Sequence, residues 1–267
     1  MRAVTPTHAA LERVEAERKH VGRGLDAYDR FAADVRELAS ASSGTHSERT
    51  LPDGAGQSLA LPGARSGRRD TDGLAELRSA FRETVQPFAV AHHDRVDSSR
   101  DAIGEELGDE LAPALESTAS GPISPALKAT VLSAAERRRI ELRTVERALA
   151  TEEASLQDVL ECIEGVADWL VDADRTPLSA LDFTALSERH ETLRSHHDRC
   201  ETAVYDRQTV IRGRTARGTV VVSHRSLVDR LYRRLSSPHP ALSTVVRVAD
   251  VCRECRRIVR DHLVRRT

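Results

Sequence analysis

The sequence predicts an all-α protein of long helical hairpins, a coiled-coil-like bundle with a disordered linker after its first helix. Three observations carry that prediction. Apolar residues recur at alternating steps of three and four over several long stretches, the period of a helix face. Only 3% of the 267 residues are aromatic while 31% are charged, and Ala, Leu, Val and Arg dominate, a composition of packed helices rather than of a sandwich or barrel. The breaks between periodic stretches are rich in Pro, Gly and Ser, which interrupt helices.

Thr5-Pro6 supplies a helix cap and first residue. It opens an N-terminal amphipathic helix within residues 1–40, with a seam on Leu11, Val14, Arg18, Val21, Leu25, Tyr28, Ala32, Val35 and Ala39. Gly22 and Gly24 weaken it by about 1 kcal/mol each. Residues 41–73 lack apolar period and are dense in turn formers, which predicts a flexible linker.

The remaining chain, 74–267, is expected to form a helical bundle. It begins with two shorter helices, one on Leu74, Leu77, Phe81, Val85 and Phe88, the other on Ile103, Leu107, Leu111 and Leu115; Pro87 and Pro113 predict breaks within these patterns. Ser124-Pro125 opens the longest helix, with a seam on Leu142, Val145, Leu149, Glu152, Leu156, Val159, Ile163, Val166 and Leu170. At 1.5 Å per residue that helix spans about 70 Å. The DADRTP turn is too short for anything but an antiparallel return. The return helix, roughly 182–212, has its seam on Leu186, His190, Leu193, His197, Cys200, Val204, Arg207 and Ile211, so the long hairpin covers about 125–212. A shorter helix on Leu227, Leu231 and Leu235 and a terminal helix on Leu242, Val245, Ala249, Cys252, Arg256, Val259 and Leu263 complete the basic C-terminal part. TVVV, 219–222, is the one candidate strand. Trp169 and Tyr205 read as packing residues, and aromatics this sparse do not suit single-strand binding by stacking.

The formal net charge of −2 conceals an asymmetry. Residues 201–267 hold 15 Arg and 6 acids, a net of +9, whereas residues 1–200 carry a net of −11. The two parts can attract each other or a second copy, or the basic part can meet an anionic partner such as nucleic acid. Lys19 and Lys128 are the only lysines and asparagine is absent, a bias that reflects a high-GC genome before it reflects chemistry. No segment approaches the roughly 18 apolar residues of a membrane span, and MRAVTPTHAALERVEAERKH lacks a signal-peptide core. A soluble, cytoplasmic protein is expected.

The blocks AALERVEAERKHVGRGLDAYDRF, FRETVQPFAVAHHDRV, RCETAVYDRQ and HPALSTVVRVADVCRECRRIVRDHLVRR resemble a family of uncharacterised haloarchaeal proteins. The resemblance covers scattered blocks over most of the chain outside the linker, and implies a helical fold and a halophilic cytoplasm, with no activity attached. Halophilic proteins tend to be strongly acidic; this chain is not, and its basic tail is the departure.

Catalytic motifs fail one at a time. His190-Glu191 begins a zincin pattern, but position 194 holds Arg194 where His is required. GAGQSL lacks the third glycine of a dinucleotide fingerprint and follows no strand, and neither a Walker A sequence nor G-x-S-x-G is present. The chain therefore reads as a non-enzyme.

Four cysteines in a chain without a signal peptide read as thiols or ligands rather than disulfides. Cys252 and Cys255 share one helix face, and so do His197 and Cys200 on the return helix. Two such pairs facing each other make a Cys3His zinc site of the structural type. The other readings are a Cys252–Cys255 thiol switch, or cysteines that simply fill seam positions as small hydrophobes.

Two function classes follow. The one ranked first is a non-enzymatic helical scaffold or interaction protein, forming a homo-oligomer or receiving a helical partner on its long seams, because an electrostatic grip on phosphates weakens steeply in the salt of a halophilic cytoplasm. The other is a regulator that contacts nucleic acid through residues 201–267, or senses zinc or thiol state through the Cys-x-x-Cys tail.

Overall fold

A computed structural model of the chain describes residues 5–38, 72–92, 103, 104, 106–116 and 120–266. The fold is all-α with one small β-hairpin. The described elements are α1 (Pro6–Glu37), α2 (Gly73–Thr84), α3 (Gln86–His92), α4 (Ala112–Glu116), α5 (Pro125–Asp174), α6 (Phe183–Arg212), β1 (Arg214–Arg217), β2 (Val220–Ser223), α7 (His224–Leu231) and α8 (Pro240–Val264). A single 3₁₀ turn, Leu178–Ala180, lies between α5 and α6. The expected linker falls, but for Asp72 and Gly73, outside the described residues. Both of those belong to the start of α2, where Asp72 caps the helix by accepting from the Ala75 N–H at 3.1 Å.

The chain divides into two compact units: unit 1 is Met1–Arg23 with Ile140–Thr267, and unit 2 is Gly24–Arg139. The chain thus passes from one to the other within α1 and again within α5.

In unit 2 the expected breaks at the prolines occur. Thr84 ends α2, and Pro87 and Pro113 each occupy the first turn of a new helix, where no N–H is needed. The Phe31 and Phe81 rings meet edge to face with centroids 6.0 Å apart. Gly24 lets the Phe88 ring approach, since a Cβ there would lie 2.6 Å from that ring. Tyr28 donates to the buried Glu106 carboxylate at 2.6 Å, and Arg138 donates to the same oxygen at 2.9 Å.

The buried stripe of α1 includes Ala10, Val14, Glu17, Val21, Gly24, Tyr28, Phe31 and Val35. It shares Val14, Val21, Tyr28, Ala32 and Val35 with the predicted seam, Ala32 being buried beside Phe31, but Ala10, Glu17 and Gly24 lie one residue before the predicted Leu11, Arg18 and Leu25. Helix contacts allow either a three- or a four-residue step from the same anchor. The large ring of Phe31 and the small Gly24 decide for the earlier set, and Arg18 turns out to pair with Glu153.

In unit 1, α6 returns along α5 as an antiparallel hairpin, and α8 lies along α6. Arg266, beyond the end of α8, donates to the Ser179 carbonyl at 2.6 Å, which sets α8 antiparallel to α6. Leu186, Leu193 and Val259 make the core at the turn end, with Trp169, Leu170, Leu178 and Cys255 against it. Trp169 packs as expected, 5.0 Å from the His196 ring. Tyr205 does not: it is 70% exposed, because its position on α6 faces away from both neighbouring helices.

TVVV contributes to strand β2, and its partner β1 is the arginine-bearing segment RTAR, with Arg214 opposite Ser223 and Arg217 opposite Val220. The two-residue turn needs a left-handed residue, which Gly218 supplies with φ +59°. Among the described residues no helix is long and apolar enough to cross a membrane.

Candidate functional site

Unit 1 carries a buried ionic node. Glu152 on α5 occupies a seam position where an apolar residue belongs and is fully buried. Both of its oxygens are doubly occupied. Oε2 accepts from Arg207 Nη1 at 2.8 Å and pairs with His224 Nε2 at 2.6 Å, while Oε1 accepts from Arg207 Nη2 and from the Tyr232 hydroxyl. Arg207 also donates to Ser155 Oγ at 3.1 Å. Burial raises the Glu152 carboxyl, but the hydrogen bonds from His224, Arg207 and Tyr232 outweigh it and hold the group down to about 2. Burial and the adjacent carboxylate push the Tyr232 phenol well above its ordinary value, so it stays a donor.

A carboxylate with every acceptor position filled has none left for a substrate proton, so Glu152 acts as a clamp. It ties α5 to the last turns of α6 through Arg207, and to both ends of α7 through His224 and Tyr232. His224 N–H also donates to the Gly213 carbonyl at 3.2 Å, closing the base of the hairpin. The segment between these anchors is thereby fixed, and it is rich in arginine: residues 207–232 contain six Arg and one acid, Asp229. Arg212, Arg214, Arg217 and Arg225 have no acidic partner among the described residues. Other arginines of the unit do, as in Arg18–Glu153, Arg230–Glu17 and Arg257–Glu254.

The four residues expected to bind zinc are split. Cys200 lies beside Cys252 where α6 meets α8, close enough for each thiol to shift the other, and Cys162 of α5 stands in the same relation to Cys200. Cys255 packs instead against the core of Leu186, Leu193 and Val259. His197 turns to Glu201 and Asp198, each 3.9 Å from its Nδ1. Among the described residues, His197, Asp198 and Glu201 are the one group of three or more metal-binding side chains whose ligand atoms lie within 4.8 Å of one another. They sit on one helix turn, two of them exposed acids, as ordinary surface neighbours do. Cys162, Cys200 and Cys252 consequently form a row with Cys200 in the middle rather than a closed ligand shell.

The hydrogen bond to Cys200, with burial, raises the Cys162 thiol far above its ordinary value. The bond from Cys162 lowers Cys200, but that to Cys252 and burial prevail and leave it pushed up to about 11. Cys252 accepts from Cys200 and is lowered.

A cleft of ≈ 680 Å³ between α5 and α6 is lined by Cys162 and Arg207. Its charges are mixed, with Asp158, Glu191, Asp198 and Asp206 against Arg194, Arg199 and Arg207, so it favours no one sign of ligand.

His224 and Tyr232 went unnoticed in the sequence, since neither belongs to a motif. Glu152 and Arg207 did carry a signal. They are opposite charges at apolar seam positions, at nearly equal sequence distances from the turn at Leu178–Ala180, and such residues face each other in an antiparallel hairpin.

Unit 1 is thus a helical module with an internally clamped, arginine-rich end. The chain belongs to the family described as a domain of unknown function, DUF7260, whose model matches residues 5–256. No curated protein and no solved structure matches the chain.

Proposed function

We propose that this chain is a non-enzymatic helical interaction protein whose partner is nucleic acid, gripped by its phosphates at the arginine-rich end of unit 1. The observation that carries the reading is the concentration of unpaired arginines between Arg212 and Arg225 on a segment clamped at both ends by Glu152. Guanidinium groups match phosphate oxygens two at a time, which lysine cannot do. Holding the segment fixed in advance reduces the ordering cost of binding. The filled acceptor positions of Glu152 support a structural rather than a catalytic use of the unit's most buried charge. Sparse aromatics favour backbone contact over base stacking.

The test is fluorescence anisotropy of labelled DNA and RNA oligonucleotides with the full chain across a salt series. Micromolar or tighter binding is expected at about 50 mM salt, with a log–log slope of about −3 to −4 for as many phosphate contacts. Arg214→Glu with Arg217→Glu should abolish it. Absence of binding at that salt, or binding indifferent to the double charge reversal, removes the reading.

A further inference from the structure

A second cleft in unit 1, of ≈ 460 Å³, is lined by Gln208, Ile211 and Arg212 of α6, Arg214 of β1, Ser223 and Arg225 at the start of α7, and His239 and Leu242 at the start of α8. Unlike the larger cleft, it has no acid in its lining. Three arginines reach it from three different elements, and none has an acidic partner among the described residues. Two helices begin at its wall, where the positive ends of their dipoles lie. The 25-residue α8 has no side-chain cap on its first turn, so N–H groups there lack a side-chain acceptor.

One feature opposes an anion: α6 ends at the same place, with its carbonyls exposed. Two carbonyls there are already covered, Val210 by the Gly213 N–H and Gly213 by the His224 N–H. Three guanidiniums and two helix starts outweigh the remainder.

We propose that this cleft is a built site for one phosphate monoester, with Arg212, Arg214 and Arg225 on its oxygens and the attached nucleoside against Ile211 and Leu242. The concentration of positive charge suits a dianion better than the single charge of a backbone diester. The volume falls within the roughly 300–1,000 Å³ of small-ligand sites and leaves room beyond a bare phosphate. The source of the monoester is the 5′ end of a strand, a choice that rests on the nucleic-acid reading above; a free nucleoside monophosphate presents the same chemistry.

The experiment compares 5′-phosphorylated and 5′-hydroxyl single strands of one sequence, together with a 5′-nucleoside monophosphate and inorganic sulfate, on the full chain. The variants are Arg214→Gln, Arg225→Gln and their double. Arg253→Gln, whose arginine pairs with Asp250 on the exposed face of α8, is the control. The phosphorylated strand should bind about tenfold tighter, the nucleotide should compete for that preference, and sulfate should not at equal concentration. In the double variant both strands should bind more weakly, since Arg214 and Arg225 also belong to the general grip, and the preference for the phosphorylated strand should vanish, the two affinities becoming equal. Equal binding of the two strands, or a preference that survives the double variant, overturns the site and leaves the general nucleic-acid reading standing. Nucleotide binding that the double variant abolishes, with no strand binding, keeps the site and overturns that reading. Failure of strands and nucleotide alike overturns both.

Discussion

Glu152 and Arg207 form a two-pronged ion pair that joins α5 to α6 at a depth where both side chains are closed to solvent, 0% and 2% exposed. Removing one partner of such a pair leaves the other charge buried and uncompensated, which typically costs about 3–5 kcal/mol. Glu152→Gln is therefore expected to lower thermal stability sharply at neutral pH. Arg207→Met added to Glu152→Met should recover part of the loss, because an apolar pair needs no compensation. A double-mutant cycle by chemical denaturation checks this, and additive losses would contradict the pairing.

The same pair sets an acid response. The Glu152 carboxyl is held down to about 2 from an ordinary 4.5. A depressed carboxyl contributes stability that is fully present above about pH 4.5 and is lost as pH falls through about 2. The stability gap between the native chain and Glu152→Gln should therefore narrow by about 3 kcal/mol over that window. Urea titrations at pH 6 and pH 3 should show about 2 kcal/mol of that narrowing, the remainder falling below pH 3, and a gap independent of pH would show that Glu152 is not the ionised member.

The hairpins, the proline breaks and the terminal helix were legible because period and punctuation act locally. What the sequence concealed depends on neighbours. The seam of α1 lies one residue off at alternate positions, since only the partner ring of Phe88 explains why Gly24 is interior. The strand β1 reads as polar coil, because its four residues gain strand geometry only by pairing with β2. The zinc quartet rested on spacing within helices, which is silent on how α8 is rotated against α6; the observed rotation brings Cys252 to Cys200 and carries Cys255 to the core of Leu186, Leu193 and Val259.

Gly22 and Gly24, two residues apart on α1, should respond oppositely to alanine. A Cβ at Gly22 meets nothing within 4 Å, so Gly22→Ala is expected to stabilise by about 0.5–1 kcal/mol through helix propensity. At Gly24 the new methyl would lie 2.6 Å from the Phe88 ring. That ring is itself buried, and overpacking of this kind costs about 1–3 kcal/mol. Melting temperatures of the two variants, rising for one and falling for the other, test the placement of the α1 seam.

The thiols should differ in reactivity by burial. Cys255 is half-buried while Cys162, Cys200 and Cys252 are buried. A thiol reagent at about pH 8 should modify Cys255 first in the native chain, although burial and nearby Glu254 and Asp174 raise its thiol and slow the reaction. Cys162, although at the wall of the cleft, is buried and its thiol is raised far above its ordinary value, so it should be slow as well. Cys200 and Cys252 should react only on unfolding, when all four count. Mass spectrometry of peptides from a timed alkylation gives the order; early modification of Cys252 would contradict the packing of α8 on α6.

Each unit uses a buried glutamate that accepts from a tyrosine and an arginine: Glu152 with Tyr232 and Arg207, and Glu106 with Tyr28 and Arg138. A tyrosine hydroxyl bonded to a charged acceptor contributes about 1.5–3 kcal/mol, so Tyr28→Phe and Tyr232→Phe should both destabilise. The consequences should separate by place. Tyr232 anchors one end of the arginine-rich segment, so Tyr232→Phe should also loosen α7 and weaken oligonucleotide binding. Tyr28→Phe should leave binding unchanged at temperatures where the chain is folded. Hydrogen exchange at the amides of α7, measured beside anisotropy for both variants, distinguishes a clamp that positions the arginines from one that only stabilises. Equal binding losses in the two variants would mean that stability alone, and not the anchoring of the segment, governs the arginine-rich end.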